Sequence, residues 1–328
     1  MAYVSRIAAA ALALGFATSA LAEELSLADF QPPTHFVVDS VYGPMNDAIS
    51  AATNGAVTLH VYMGGELGPG PAEQYNRVLD GVADIAFSLP GYTASSFPMT
   101  LLAELPGVIT PEGGTQALID HADMLSGEYR RAVLVGLWNN APNLLLMGSH
   151  EVHSMDDLAG LNIRVPSRNA GLVVQAWGAN PVSMPAPEIY NAMQTGVIDG
   201  AMIDATTLGA FRLAEVTSSI TMGMDTTISL FFLVMNRDSF ADLTEEQQQA
   251  VLTAGRQASL NGNAAWLGVA DRALAAFTTT EGKTVITLTD DEAARFNAAS
   301  APVVEQIIAD AEAEGIAARA FVDALSGQ

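Results

Sequence analysis

Two stretches of the chain repeat one phrase. YNRVLDGVADIA runs from Tyr75 to Ala86 and YNAMQTGVIDGA from Tyr190 to Ala201, with Tyr, Asn, Gly, Val, Asp and Ala in register. In each, a helical segment is stopped by a glycine, Gly81 or Gly196, and Val-x-Asp leads into an apolar strand. Glycine just past a last helical turn accepts the left-handed backbone that closes a helix. The short apolar run after it is the pattern of a buried strand. A chain that uses this unit twice is expected to build two similar lobes, with a site made by both lying between them. Its 328 residues, 50% of them hydrophobic, suffice for two separate cores.

The rest of the chain alternates in the same way. HFVVDSV is predicted as a strand, GPMNDAISAATNG as a helix closed by Gly55, AVTLHVY as a strand, PAEQYNRVLDG as a helix and VADIAFSL as a strand. After the polar turn HSMDDLAG the pattern restarts with LNIRVP (strand), NAGLVVQAWG (helix), NPVSM (strand), PAPEIYNAMQTG (helix) and VIDGAMI (strand). Strands alternating with helices predict the α/β class, with mostly parallel sheets covered on both faces. From Thr244, an N-cap followed by Glu245 and Glu246 opens a long helix stopped by Gly282 and suited to brace both lobes. Gly255, Gly262 and Gly268 inside it each cost about 1 kcal/mol relative to alanine and predict a kink. KTVITL adds a strand, and helices close the chain from Asp290 on.

The first 22 residues, MAYVSRIAAAALALGFATSALA, have one arginine, an apolar run and a small-residue ending, the layout of a secretory signal peptide cleaved near Ala22. The apolar run is shorter than the roughly 20 residues of a bilayer span, so export to the periplasm without stable membrane insertion is expected. The chain has no cysteine, which excludes disulfides, thiol catalysis and cysteine-bound zinc. The net charge is −23, and only Lys283 is lysine. Such a surface repels phosphate backbones and anionic lipid, so nucleic acid is not an expected partner.

In open α/β sheets a ligand sits beyond the carboxyl ends of the strands. That rule puts Ser88 to Tyr92 (SLPGY) at the mouth of one lobe and Met202 to Thr206 (MIDAT) at the mouth of the other. Within NIRVPSR, Arg164 interrupts an apolar strand, where an unpaired charge costs several kcal/mol. Its planar fork suits a carboxylate, held by two parallel bonds. That carboxylate is either a ligand's or the protein's own, and the residues alone leave both open.

Catalysis has no candidate constellation. HEVH, His150 to His153, has too short a spacing for the helical two-histidine zinc motif, and GGELGPG lacks the lysine of a phosphate loop. No nucleophile elbow, Walker loop or dinucleotide fingerprint occurs. No metal and no cofactor is therefore expected.

GLNIRVPS followed by GANPVSMPAPEIYNAMQTGVIDG resembles the signature of the solute-binding proteins of TRAP (tripartite ATP-independent periplasmic) transporters. MGGELG and LPGYTASSFPMTLLAELP are similar to further stretches of that family. The resemblance implies a two-lobed, type II-like periplasmic binding protein with crossover strands. It implies that Arg164 grips the carboxylate of a small organic acid as the lobes close, and that membrane permease subunits receive it. Carried onto this chain, Ser167, Asn143, Ala186, Met202 and Asp204 fall at cleft positions, although MID, Met202 to Asp204, departs from the family's usual residues and Ala186 stands where Phe is common. Sialic acid and C4-dicarboxylates fit this altered company poorly, while a smaller acid or a bulkier aromatic one stays open. His35, Glu66, Ser88, Tyr92 and Phe231 complete the candidate contacts. The lobes are expected at residues 23–145 plus about 230–260, and 146–229 plus about 261–328. The competing reading is an exported lyase or hydrolase acting on a carboxylate.

Overall fold

A computed structural model describes residues 23–327; the leader predicted over residues 1–22 lies outside them. The first sheet collects β1 (Glu23–Ala28), β2 (Val57–Tyr62), β3 (Ile85–Ser88) and β4 (Ala132–Asn139). The second collects β5 (Leu144–Met147), β6 (Asn162–Val165), β7 (Asn180–Ser183), β8 (Gly200–Ile203) and β9 (Ser219–Met222). The chain then returns, giving β10 (Leu230–Asn236) to the first sheet and β11 (Thr284–Thr287) to the second. The strand orders are β2-β1-β3-β10-β4 and β11-β9-β5-β8-β6-β7. The returning β10 is antiparallel to both its neighbours, as is β5 to its own, so both sheets are mixed.

The central strands of both sheets, β3, β10, β5 and β8, are buried on both faces because they are almost wholly apolar, while the edge strands β2, β7 and β11 are partly exposed. Leu230, Phe232 and Val234 enter one core of the first sheet while Phe231, Leu233 and Met235 enter the other. In the second sheet Leu144, Leu146, Ala201 and Ile203 point to one core and Leu145, Met147, Ile163 and Met202 to the opposite one. This is the period-two alternation of a pleated strand, doubled by a helix layer on each side.

The repeated phrase builds the same object twice. The helix Gln74–Leu79 and the helix Ile189–Gln194 end at Gly81 and Gly196, with φ of 69° and 71°. Gly81 N donates to Val78 O and Val82 N to Arg77 O; Gly196 N donates to Met193 O and Val197 N to Ala192 O, the same closing bonds. Asp84 then accepts Ser26 N from β1, and Asp199 accepts Asn162 N from β6, each at 2.8 Å. In each lobe the repeated aspartate thus ties the strand it precedes to that strand's parallel neighbour.

Two elements differ from the sequence expectation at the start of the chain. The first strand is EELSLA, and HFVVDSV instead leads into helix, from a π-helical turn at Val38–Tyr42 into Gly43–Ala52. The β-branched residues suggested a strand, but Val37, Val41, Met45 and Ile49 recur every four residues and all are buried in one core, which is helical spacing.

The helix Glu245–Thr278 runs unbroken from a capping box made by Thr244 and Gln247. Its Val251, Ala254, Ala258 and Trp266 lie in a core of the first sheet, and its Ala270 and Phe277 in a core of the second. Two of the glycines expected to kink it are contact points instead. A Cβ at Gly255 would sit 2.2 Å from Val135 O, and one at Gly262 would sit 2.8 Å from the Trp138 ring nitrogen. The following helix, Asp290–Ala313, also joins both halves, through Phe296 in a core of the second sheet and Ile308 in one of the first. Phe321, Val322 and Leu325 pack into that same first-sheet core. The expected division therefore needs correction at its end: residues past about 308 belong with the first lobe, because their apolar face is buried there.

Candidate functional site

The two lobes meet over a small cavity at the carboxyl ends of β3 and β8. Arg164 projects from β6 and is 1% exposed. Its Nε donates to Met184 O at 2.8 Å and its Nη2 to Tyr92 Oη at 3.4 Å. A guanidinium carries five N–H donors, so these bonds leave most of the fork for the cavity. Among the described residues, it forms no salt bridge with any of the protein's own carboxylates. Burial pulls its pKa down, opposed by the neighbouring Tyr92 and, more weakly, by Asp204 and Glu188. Arginine nonetheless keeps its charge, and a buried cation of this kind needs an anion.

The walls around it are aromatic. Rings follow one another from Tyr92 to Phe30 (6.0 Å), Phe87 (5.7 Å), Phe231 (5.4 Å), Trp266 (4.7 Å) and His35 (5.5 Å). This band begins at the arginine and ends beside Phe211, 6.3 Å from the His35 ring. Val37 N donates to His35 Nδ1 at 3.2 Å, and burial drives that imidazole's pKa down to about 3. The neutral ring therefore carries its proton on Nε2. Flat faces with a few placed polar groups favour a ring-bearing ligand.

The polar groups on the other side gather around Asp204, which follows β8 and is 2% exposed. Its Oδ1 accepts from Thr206 N at 2.9 Å and from Thr206 Oγ1; its Oδ2 accepts from Asn140 Nδ2 at 2.8 Å. Burial raises its pKa, against these hydrogen bonds, which lower it. Asn140 stands where the chain leaves β4 for the second lobe, and it exchanges bonds with Ser229, where the chain comes back: Asn140 N to Ser229 O at 2.9 Å and Ser229 N to Asn140 Oδ1 at 2.8 Å. The two crossovers are thus laced together at the cavity's edge.

Further contacts close the lobes over the site. Tyr92 Oη, from the first lobe, accepts Ala186 N of the second at 2.9 Å. Ser167 Oγ donates to Glu104 Oε1 at 2.7 Å, and Asn169 Nδ2 to Leu101 O at 3.2 Å. Gly91 lies so near that a Cβ on it would stand 3.0 Å from Pro166 O and from Ser167 Cβ, so any larger residue would push the two lobes slightly apart here.

Of the residues singled out from sequence, Arg164, Ala186, Asp204, His35, Tyr92 and Phe231 line this cavity together. Five do not. Met202 points into the opposite core, since alternation gives the cavity face of β8 to Ile203. Ser88 Oγ turns away to donate to Pro71 O, and Glu66 sits exposed in a surface turn. Ser167 caps the helix Arg168–Ala176 and bonds Glu104 instead of facing the space. Asn143 stands one step behind, accepting from Asn140 Nδ2 at 3.0 Å. Sequence reasoning missed Trp266, Phe211, Phe30 and Asn140. Trp266 had a usable signal, the one tryptophan on the helix expected to brace both lobes.

The family described as "Bacterial extracellular solute-binding protein, family 7" matches residues 27–311. A curated solute-binding protein of Albidiferax ferrireducens is 28% identical over 217 residues, or 64% of this chain, and the chain spans 63% of that relative's length. A TRAP solute-binding protein from a marine metagenome, described as specific for aromatic acid ligands and crystallised with 3-hydroxybenzoate, matches with a TM-score of 0.86 at 25% identity, over 94% of this chain and 98% of its own. A TRAP periplasmic solute-binding protein of Bordetella bronchiseptica with bound (R)- and (S)-mandelate matches with a TM-score of 0.85 at 26% identity, over 93% of this chain and 98% of its own.

Proposed function

Because the chain belongs to the bacterial extracellular solute-binding proteins of family 7, we propose that it captures an aromatic monocarboxylate between its lobes and presents the closed complex to the membrane subunits of a TRAP transporter. The observation that carries this reading is a buried guanidinium, free of protein carboxylates among the described residues, at one end of an aromatic cavity. The carboxylate takes the unused fork of Arg164, and the ring lies along the band from Tyr92 to Trp266. Closure removes water, which strengthens the charge-assisted bonds and commits the ligand. The aromatic acids held by two structural relatives agree with the walls found here. The family and these relatives are binding proteins, not enzymes. The secretory layout of residues 1–22 supports capture in the periplasm.

The test is a thermal-shift screen of the purified chain against benzoates, phenylacetates, mandelates, keto and hydroxy acids and uronates, with polyols as controls, followed by calorimetric titration. One-to-one binding of an aromatic acid that is recovered unchanged is the expected result. Stabilisation by a polyol alone, or consumption of the compound that binds, would overturn it.

A further inference from the structure

The cavity holds two buried charges of opposite sign that do not neutralise each other. Arg164 and Asp204 both line it, are 1% and 2% exposed, and among the described residues form no salt bridge. A ligand carboxylate answers the first. The second is a separate demand: Asp204 Oδ1 already takes two hydrogen bonds from Thr206, whereas Oδ2 takes one, from Asn140 Nδ2 at 2.8 Å. A carboxylate oxygen accepts two, so one acceptor position is open. Both N–H groups of Asn140 are spent, on Asp204 Oδ2 and Asn143 Oδ1, so Asn140 cannot fill it.

We propose that Asp204 reads a hydrogen-bond donor on the ligand's ring, so that the protein selects acids bearing a ring O–H or N–H over the unsubstituted acid. This rests on the reading of Arg164 as the carboxylate anchor. When the lobes close, an acid with only C–H facing Asp204 strips water from an acceptor and gives nothing back, whereas a hydroxyl restores the bond. The two charges come from neighbouring strands: Arg164 pairs with Ala201 across β6 and β8, and Asp204 lies three residues further along the chain. A molecule anchored on the first is therefore presented to the second. The plain alternative is that Asp204 only shapes its turn, through the bond from Thr206 N. A turn former would be indifferent to the ring's substituent.

Calorimetric titration of the wild-type chain with benzoate, 3- and 4-hydroxybenzoate, their methoxy counterparts and 3-(aminomethyl)benzoate separates these. At least one hydroxy isomer is expected to bind about tenfold or more tighter than benzoate and than its own methyl ether, which keeps the oxygen but lacks the donor. A still tighter aminomethyl compound supports the proposal and identifies the donor as cationic. Equal affinity for benzoate and both hydroxy isomers, or for ether and hydroxyl, overturns this inference and leaves the arginine anchor standing. If none of the acids binds, both fall. In Asp204→Asn the hydroxyl-to-hydrogen affinity ratio is expected to collapse toward one; a ratio unchanged from wild type is a second refutation. The ligand series decides the matter without the variant if the variant fails to fold.

Discussion

Ser167 Oγ and Glu104 Oε1 meet at 2.7 Å with both residues buried, one at the start of a second-lobe helix and the other in the first lobe. Burial pushes the Glu104 carboxyl up to about 8 from an ordinary 4.5, against weaker pulls from Ser167 and Asn169. When the lobes part, water reaches Glu104 and its pKa falls back, so closure takes up a proton between those two values. The sign follows: the closed form is unpenalised below about 4.5, loses ground as pH rises through the interval, and carries the full penalty above about 8. Ligand affinity is expected to weaken with rising pH across this range, by at most about tenfold per unit for one proton. Glu104→Gln should flatten the profile. Titrations at pH 5, 6.5 and 8.5 check this, and a variant profile as steep as wild type refutes it.

Arg164→Ala is expected to weaken aromatic acid binding by at least about a hundredfold, because it removes the buried partner of a charge pair. The unliganded protein should melt no lower than wild type, since a guanidinium without a counter-ion is a cost in the closed cavity. Thermal unfolding without ligand, followed by titration, reads both halves. Unchanged affinity would contradict the assigned anchor.

Gly255→Ala and Gly268→Ala should move stability in opposite directions although both replace a glycine in the same helix. At Gly255 the new methyl collides with the Val135 carbonyl, so a loss of about 1–3 kcal/mol or more is expected. At Gly268 the nearest contact is the mobile tip of Arg272 at 3.3 Å, and helix propensity should add up to about 1 kcal/mol. Denaturant unfolding distinguishes them.

Asp84→Ala should cost more than Asp199→Ala despite their equivalent places in the repeat. Among the described residues the Asp199 side chain receives Asn162 N alone, worth about 1 kcal/mol, whereas Asp84 receives Ser26 N, Ser26 Oγ and Ser239 Oγ and should lose about twice that or more. Equal losses in chemical denaturation would mean that the extra bonds contribute nothing.

How far the chain could be read in advance depended on whether the signal was local. The repeated phrase, the Thr244 cap and the strands around Arg164 were legible because propensity, glycine stops and apolar runs agreed. The segment from Val37 failed because β-branched composition hid a four-residue period. Met202 failed by one position, and in a strand one position is the difference between two faces. The wall formed by Trp266 and Phe211 was legible only in Trp266's place on a helix expected to brace both lobes. These residues, with Phe30, come together only when separate elements fold and the lobes close, and no spacing along the chain encodes that meeting.

Asn140 touches both the crossovers and the cavity. Its backbone and side-chain oxygen clasp Ser229 where the chain crosses back, while its amide holds the aspartate that lines the cavity. A cargo that tugs on Asp204 is therefore felt at the joint itself. Under the function proposed above, the angle between the closed lobes would itself differ with the molecule they enclose.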